Sequence, residues 1–154
     1  MGRVLLPAQE LSLIKLKLDH NLFGNAGLAQ LTEGLAMNNT LESLSLCYCG
    51  IDNEGAGYIQ QILSYYETKL EKLKLQGNLL KNKGVFQIFR ALEINETLEK
   101  INLADNQFGE STEVPVVEKI CEVIVKNKSL GSYNLKFNGL FEECNRSFNY
   151  CHFI

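Results

Sequence analysis

The sequence is poor in histidine, in arginine and in long hydrophobic runs. His20 and His152 are the two histidines, and neither is accompanied by the further ligands that a metal ion requires. No stretch of 18 apolar residues occurs, which argues against a membrane-spanning helix. A phosphate-binding loop of the G-x-x-x-x-G-K-[ST] type is also missing. We therefore predict no catalytic residue, no metal and no cofactor.

Net charge and cysteine content indicate which ligands and which cellular compartment suit this protein. A net charge of −3 argues against nucleic acid as the main ligand, because phosphate binding needs a clustered positive field. The five cysteines are odd in number and irregularly spaced, which is not a disulfide framework. Since the start of the chain lacks the apolar run of a signal peptide, we expect reduced thiols in a cytoplasmic protein.

The main feature of the sequence is a repeated motif. It consists of an aliphatic residue, two variable residues, an aliphatic or aromatic residue, one variable residue, Leu, two variable residues and usually Asn. The five copies are Leu13-Leu16-Leu18-Asn21, Leu41-Leu44-Leu46-Cys49, Leu70-Leu73-Leu75-Asn78, Leu98-Ile101-Leu103-Asn106 and Leu130-Tyr133-Leu135-Asn138. The first residues are 28, 29, 28 and 32 positions apart. A fixed period of this size predicts a solenoid, here a single domain over residues 1–154 whose last repeat is truncated.

Each repeat is predicted to contain one strand and one helix. In the third copy, Leu73, Lys74 and Leu75 alternate as in a half-buried strand. Gly84, Ile88 and Leu92 then follow at helical spacing. The same spacing holds in the first two copies. In the fourth copy the helix is displaced by four residues, which predicts an inserted surface loop at 109–115, with a binding loop as the alternative.

Two sets of asparagines are assigned to the fold. The Asn that ends each strand offers an acceptor and two donors to loop backbone groups, which predicts a buried ladder across the repeats. Glycosylation-type tripeptides begin at Asn38, Asn95, Asn127 and Asn145. Three of them occupy one repeat position, so we attribute them to turn formation rather than to glycans.

The repeat resembles the ribonuclease-inhibitor-like class of leucine-rich repeats, on the period of 28–29, the L-x-x-L-x-L-x-x-N phrase, the downstream Gly and the N-x-T before the next Leu. Cys49 in the Asn position is a variant known in that class. The resemblance covers residues 13–138. It implies an α/β leucine-rich-repeat solenoid of about five repeats: a short right-handed horseshoe with a parallel β-sheet on its concave face and helices on its convex face.

The resemblance also implies a protein-binding surface on the concave face, formed by the third, fifth, seventh and eighth positions of each repeat. We name this surface the concave face. Six of the twelve lysines fall on it. The predicted partner-binding residues are Lys15, Lys17, His20, Tyr48, Lys72, Lys74, Gln76, Lys100, Asn102, Asp105, Lys136 and Phe137. The alternative is a solvated strand face whose lysines keep the sheet soluble.

We predict a non-enzymatic scaffold that binds a protein partner carrying an acidic segment, acting as an adaptor or structural subunit. The segments Asn39-Thr40-Leu41-Glu42 and Glu96-Thr97-Leu98-Glu99 resemble repeats of tropomodulin, of ciliary proteins and of Ran GTPase activators. This resemblance makes a cytoskeletal or ciliary assembly component the first alternative. A Ran-type small-GTPase activator is the alternative from another class, although Arg3, Arg90 and Arg146 are the only arginines. Neither end of the array resembles a polar cap, which predicts end-to-end contacts through uncapped repeats.

Overall fold

The computed structural model describes residues 12–36, 38–109 and 115–140. Strands and helices alternate along the chain without exception in this part. The elements are β1 (Lys15–Lys17), α1 (Gly24–Leu35), β2 (Ser43–Ser45), α2 (Ala56–Ser64), β3 (Lys72–Lys74), α3 (Lys81–Leu92), β4 (Lys100–Asn102), α4 (Val116–Lys126) and β5 (Ser132–Asn134). The predicted repeat unit of one strand and one helix is confirmed in all four complete repeats.

The five strands form one parallel sheet in sequence order. The register is constant, because the middle residue of each strand pairs with the middle residue of the next. These pairs are Leu16 with Leu44, Leu44 with Leu73, Leu73 with Ile101, and Ile101 with Tyr133. Since side chains alternate along a strand, this register turns every middle residue toward the helices and every flanking residue away from them.

The core lies between the sheet and the helix layer. The middle repeats bury their motif leucines completely, as at Leu44, Leu73 and Leu75. Burial is incomplete in the first repeat, where Leu13 is 39% exposed. The reason is geometric: a repeat buries its apolar face only when both neighbours are present, and no described residue packs on the outer side of Leu13.

The predicted asparagine ladder is confirmed. Asn78 is 2% exposed, and its side chain bridges two repeats. Its Oδ1 accepts hydrogen bonds from the backbone N–H groups of Cys49 and Ile51, at 3.1 Å each. Its Nδ2 donates to the carbonyl oxygens of Leu46 and Leu75. Asn106 and Asn138 donate to carbonyls of their own and the preceding repeat in the same way.

The tripeptide asparagines form turns, as predicted. Asn95 is buried, and its Oδ1 accepts from the backbone N–H groups of Thr97 and Leu98 at 3.2 and 2.9 Å. Its Nδ2 donates to the carbonyl of Leu63 in the preceding repeat. Asn38 and Asn127 accept from the equivalent backbone groups of their own turns. Asn145 lies outside the described residues.

The predicted insertion at 109–115 lies largely outside the described residues, which do not include 110–114. Pro115 precedes α4 directly, at its N-cap position. The helix displacement is confirmed, since Val116, Ile120 and Ile124 are all buried on the face that packs against the sheet. The hypotheses about the two ends of the array concern residues that fall mainly in 1–11 and 141–154, which also lie outside.

Candidate protein-binding face

The first and last residues of each strand share the sheet face that points away from the helices. They line a groove of about 250 Å³ across all five strands. The groove residues are Lys15, Lys17, Ser43, Ser45, Lys72, Leu73, Lys74, Lys100, Ile101, Asn102, Ser132 and Asn134. Five of the twelve predicted binding residues therefore lie together here as lysines, and Asn102 is the sixth.

Most lysines of this face carry a charge that no carboxylate among the described residues neutralises. Lys72 forms an exposed ion pair with Glu71 at 3.7 Å. Within 12–36, 38–109 and 115–140, the other strand lysines form no ion pair. These are Lys15, Lys17, Lys74 and Lys100. Lys100 pairs directly with Lys72 on the adjacent strand, and because like charges opposite each other in a sheet repel, this pair costs stability unless an anion lies over it.

The helix side treats its lysines differently. Lys119 contacts Glu93, which follows the last residue of α3, and donates to Glu122 at 2.7 Å; Lys126 donates to Glu122 at the same distance. These hydrogen bonds lower the pKa of Glu122 to about 2. Lys119 and Lys126 are thus paired with carboxylates, whereas Lys72 alone among the strand lysines of the described residues forms an ion pair.

The backbone turns sharply where each strand leaves the sheet. All five residues at the eighth position have a positive φ, between 55° and 68°. They are His20, Tyr48, Gly77, Asp105 and Phe137. Residues other than glycine adopt this left-handed backbone conformation at a cost of about 1 kcal/mol or more. The eighth position therefore lies at the edge of the concave face in every repeat, and it carries a side chain in all of them except the third, where it is Gly77.

A chain of contacts fixes the aromatic side chains at this edge. The rings of His20 and Tyr48 are stacked, with centroids 4.8 Å apart and planes 9° apart. Gln76 donates from Nε2 to the hydroxyl of Tyr48 at 3.1 Å, and its Oε1 accepts from Nδ2 of Asn102 at 3.2 Å. Asn102 is fixed in turn by the backbone N–H of Ala104. The structure brings these four predicted binding residues into one network.

The remaining predicted residues lie at the end of the sheet formed by the last two repeats. Phe137 is 80% exposed, and Lys136 and Asp105 are exposed beside it. The backbone N–H of Asp105 donates to the carbonyl of Lys136 at 2.9 Å, which joins the exits of β4 and β5. An exposed aromatic side chain at the edge of a charged face is a typical anchor in protein recognition.

Sequence reasoning missed the role of Asp19. Its Oδ1 accepts from the hydroxyl of Ser45 at 2.7 Å and from the backbone N–H of Cys47 at 2.8 Å. Although burial alone would raise it, these hydrogen bonds hold the pKa of Asp19 below its usual value. Burial raises the pKa of the neighbouring Cys47 thiol. The signal was the placement of Asp19, Ser45 and Cys47 at fifth and seventh positions of adjacent repeats.

The described part of the chain offers few side chains for metal binding or catalysis. There, no three His, Cys, Asp or Glu side chains are grouped so that they could hold a metal ion. Arg90 lies exposed in the last turn of α3 rather than at the exit of a strand. No helix among the same residues is long and apolar enough to cross a membrane.

The repeat unit has a known counterpart. A family model described as leucine-rich repeat matches residues 38–59, which contain β2 and the first residues of α2. The chain is a leucine-rich-repeat solenoid. The predicted fold class is thereby confirmed, with a parallel sheet of five strands and four helices between them.

Two solved structures resemble this leucine-rich-repeat chain closely in fold. One is actin-binding site 2 of leiomodin-1, with a TM-score of 0.73 and 21% identity, covering 92% of this chain and 79% of that one. The other is the C-terminal domain of tropomodulin from Caenorhabditis elegans, with a TM-score of 0.75 and 14% identity, covering 92% of this chain and 83% of that one. At these identities the likeness concerns the fold alone.

A curated relative shares part of the sequence. FERM domain-containing protein C of Dictyostelium discoideum is 29% identical over 93 residues, which are 60% of this chain. The match spans 6% of the length of that protein. This chain therefore matches a small part of a much longer protein.

Proposed function

We propose that this chain is a non-enzymatic protein–protein interaction module that binds an acidic segment of a partner protein on its concave face. The observation that carries the proposal is the row of lysines at Lys15, Lys17, Lys74 and Lys100, which have no carboxylate partner among the described residues. Complementary carboxylates on a partner would relieve the repulsion between them and would accelerate association.

The edge of the concave face would supply specificity. Tyr48 is held by its ring stack with His20 and by Gln76, so its ring is preorganised for contact with a partner. Phe137 is the second aromatic anchor, and Asp105 and Lys136 flank it. The proposed binding surface thus includes all twelve residues that the sequence predicts. The strand lysines lie in its middle, and the aromatic and other polar side chains lie at its edge.

The proposed role is that of an adaptor or structural subunit in the cytoplasm. The repeat period of 28–29 supports placing the repeats in the ribonuclease-inhibitor-like class. The partly exposed Leu13 supports contacts of the first repeat with further protein, either another chain or residues outside the described ones. We also retain residues 1–154 as a single domain in this proposal.

Charge reversal on the sheet tests the proposal. We expect Lys72→Glu combined with Lys74→Glu to abolish binding of a fluorescent oligoglutamate peptide, measured by anisotropy at low salt. Lys83→Glu combined with Lys128→Glu is the matched control, because it changes the net charge equally at exposed positions away from the strands. Equal loss of binding in both variants would show that net charge alone attracts the peptide, and the concave face would be excluded.

A second candidate is an actin-binding component of the cytoskeleton. The observation in its favour is the fold likeness to a leiomodin-1 domain named as an actin-binding site, over 92% of this chain. Sedimentation with actin filaments and titration of labelled monomeric actin test it directly. Binding that the Lys72→Glu and Lys74→Glu pair abolishes would make actin the partner of the concave face. Absence of binding to both forms of actin would exclude this candidate.

A further inference from the structure

The outward positions of the strands are not equivalent along the sheet. β1 and β3 each carry two outward lysines, whereas β2 between them carries two serines. The register forms two rows, Lys15–Ser43–Lys72 and Lys17–Ser45–Lys74. Four ammonium groups therefore surround one strand whose own side chains are short. We name this place, defined by Ser43 and the four lysines, the serine notch.

The dimensions of the serine notch suit one compact anion. Neighbouring strands of a sheet lie about 4.8 Å apart, so the backbones of β1 and β3 are roughly 10 Å apart. Lysine has a flexible four-carbon stem, which lets ammonium groups from both strands lean toward a common point above β2. β5 does not repeat this arrangement, because Ser132 has a lysine neighbour, Lys100, on only one side among the described strands.

The two serines of β2 have different roles. Ser45 is 4% exposed, and its hydroxyl is engaged with Asp19. Ser43 is half-buried, and its hydroxyl forms no hydrogen bond within the described part of the chain. The Asp19 carboxylate repels anions from the strand exits, so the favourable place for an anion is above Ser43. The exposed pair between Lys72 and Glu71 is weak and can be exchanged for it.

We propose that the serine notch binds a phosphoryl group on a side chain of the partner's acidic segment. This inference rests on the proposed function and specifies one group within the bound segment. A phosphoserine carries a charge of about −1.5 to −2 at pH 7 and three acceptor oxygens. It can accept from Lys15 and Lys72 on opposite sides and from the Ser43 hydroxyl below. A carboxylate has about half that charge and two oxygens, so it satisfies fewer of these donors.

Two synthetic peptides test the inference on the full chain. Both are fluorescent and equal in length; one contains a phosphoserine followed by an alanine, and the other has glutamates at those two positions, so their charges match. We expect the phosphopeptide to bind about tenfold more tightly in an anisotropy titration. Equal affinity for the two peptides would overturn the serine notch while the proposed function stands. Failure of both peptides to bind would overturn both.

Variants locate the preference. Ser43→Asp places a negative charge in the serine notch and should remove the preference for phosphoserine. Ser132→Asp is the matched control, because it introduces the same charge at the same position of β5, and it should retain the preference. Lys15→Gln combined with Lys72→Gln should also remove the preference, without adding a negative charge. This double variant replaces Ser43→Asp in the test if circular dichroism shows that Ser43→Asp does not fold. A preference that survives both notch variants would overturn the inference.

Discussion

The ring of Tyr48 occupies the space that a side chain at position 77 would need. A Cβ added to Gly77 would lie 2.1 Å from Cε1 of Tyr48, and Gly77 has a φ of +68°. Glycine is required here twice, once for the backbone conformation and once for the ring of the preceding repeat. The orientation of Tyr48 against His20 therefore depends on the absence of a side chain one repeat away.

Gly77→Ala should displace Tyr48 and destabilise the fold. We expect a loss of about 1–3 kcal/mol in the free energy of unfolding, from the strained backbone and the displaced ring together. Urea denaturation measures the loss, and the ring-proton chemical shifts of His20 report whether the stack persists. In a double-mutant cycle with Tyr48→Ala, the ring contribution should disappear and the backbone contribution should remain. An unchanged His20 spectrum in Gly77→Ala would contradict the proposed packing.

Asn78→Ala should be among the most damaging polar substitutions. It leaves the backbone N–H groups of Cys49 and Ile51 and the carbonyl of Leu46 without their partner in a buried site, while the carbonyl of Leu75 still accepts from Asn106, so we expect a loss of about 3 kcal/mol. Asn21→Ala is the matched control, because Asn21 is exposed and its side chain donates to carbonyls of its own repeat. It should cost less than about 1 kcal/mol by chemical denaturation. Similar losses for both variants would argue against the ladder.

Core substitutions should reveal the same difference between the middle and the edge of the array. Leu73 is 1% exposed between Leu44 and Ile101, and Leu73→Ala should cost about 3–4 kcal/mol. Leu16 occupies the same position in β1 and is only partly buried. Leu16→Ala should therefore cost roughly half as much in the same denaturation experiment. An equal cost would mean that residues outside the described ones cover the first repeat.

Asp19 should make stability depend on pH below about 4. Its pKa is lowered in the folded protein, so its stabilisation is present above the unfolded value of 3.8 and is lost as the pH falls through the folded value. Asp19→Asn should lower the free energy of unfolding at pH 7 by roughly 1 kcal/mol, and the difference from the parent chain should shrink as the pH falls below the folded value.

Ser45→Ala provides the control for Asp19, because it removes one of the two donors to Oδ1. The pH-dependent effect of Asp19→Asn on the free energy of unfolding should shrink in the Ser45→Ala background. If urea denaturation gives the same effect of Asp19→Asn at pH 7 and pH 2, the carboxylate does not contribute through these hydrogen bonds.

The sequence predicted the parts of the fold that depend on spacing. The period located all five strands, and the spacing of Ile88 and Leu92, and of Ile120 and Ile124, located α3 and α4. The Asn at the ninth position predicted the ladder because only a side chain with both donors and acceptors can link unpaired backbone groups there. These features follow from the repeat itself, so the spacing of residues along the sequence was sufficient to predict them.

Contacts between neighbouring repeats were not predictable from spacing alone. The stack of His20 on Tyr48 and the hydrogen bonds of Asp19 depend on backbone conformations at the strand exits. A signal was nevertheless present at the eighth position, where Gly77 shares its column with His20 and Asp105. Gly, His and Asp are residue types that tolerate a positive φ, so these three repeats indicate the left-handed turn, whereas Tyr48 and Phe137 at the same position do not.

The strand pairing of the last two repeats is the same as elsewhere, although 32 residues separate their first leucines instead of 28 or 29. The added residues are thus absorbed on the way to α4 and leave no trace in the sheet. An affinity tag or a fluorescent reporter inserted between Gly109 and Pro115 should therefore leave the register of the strands unchanged, and it would label the molecule without altering the sheet.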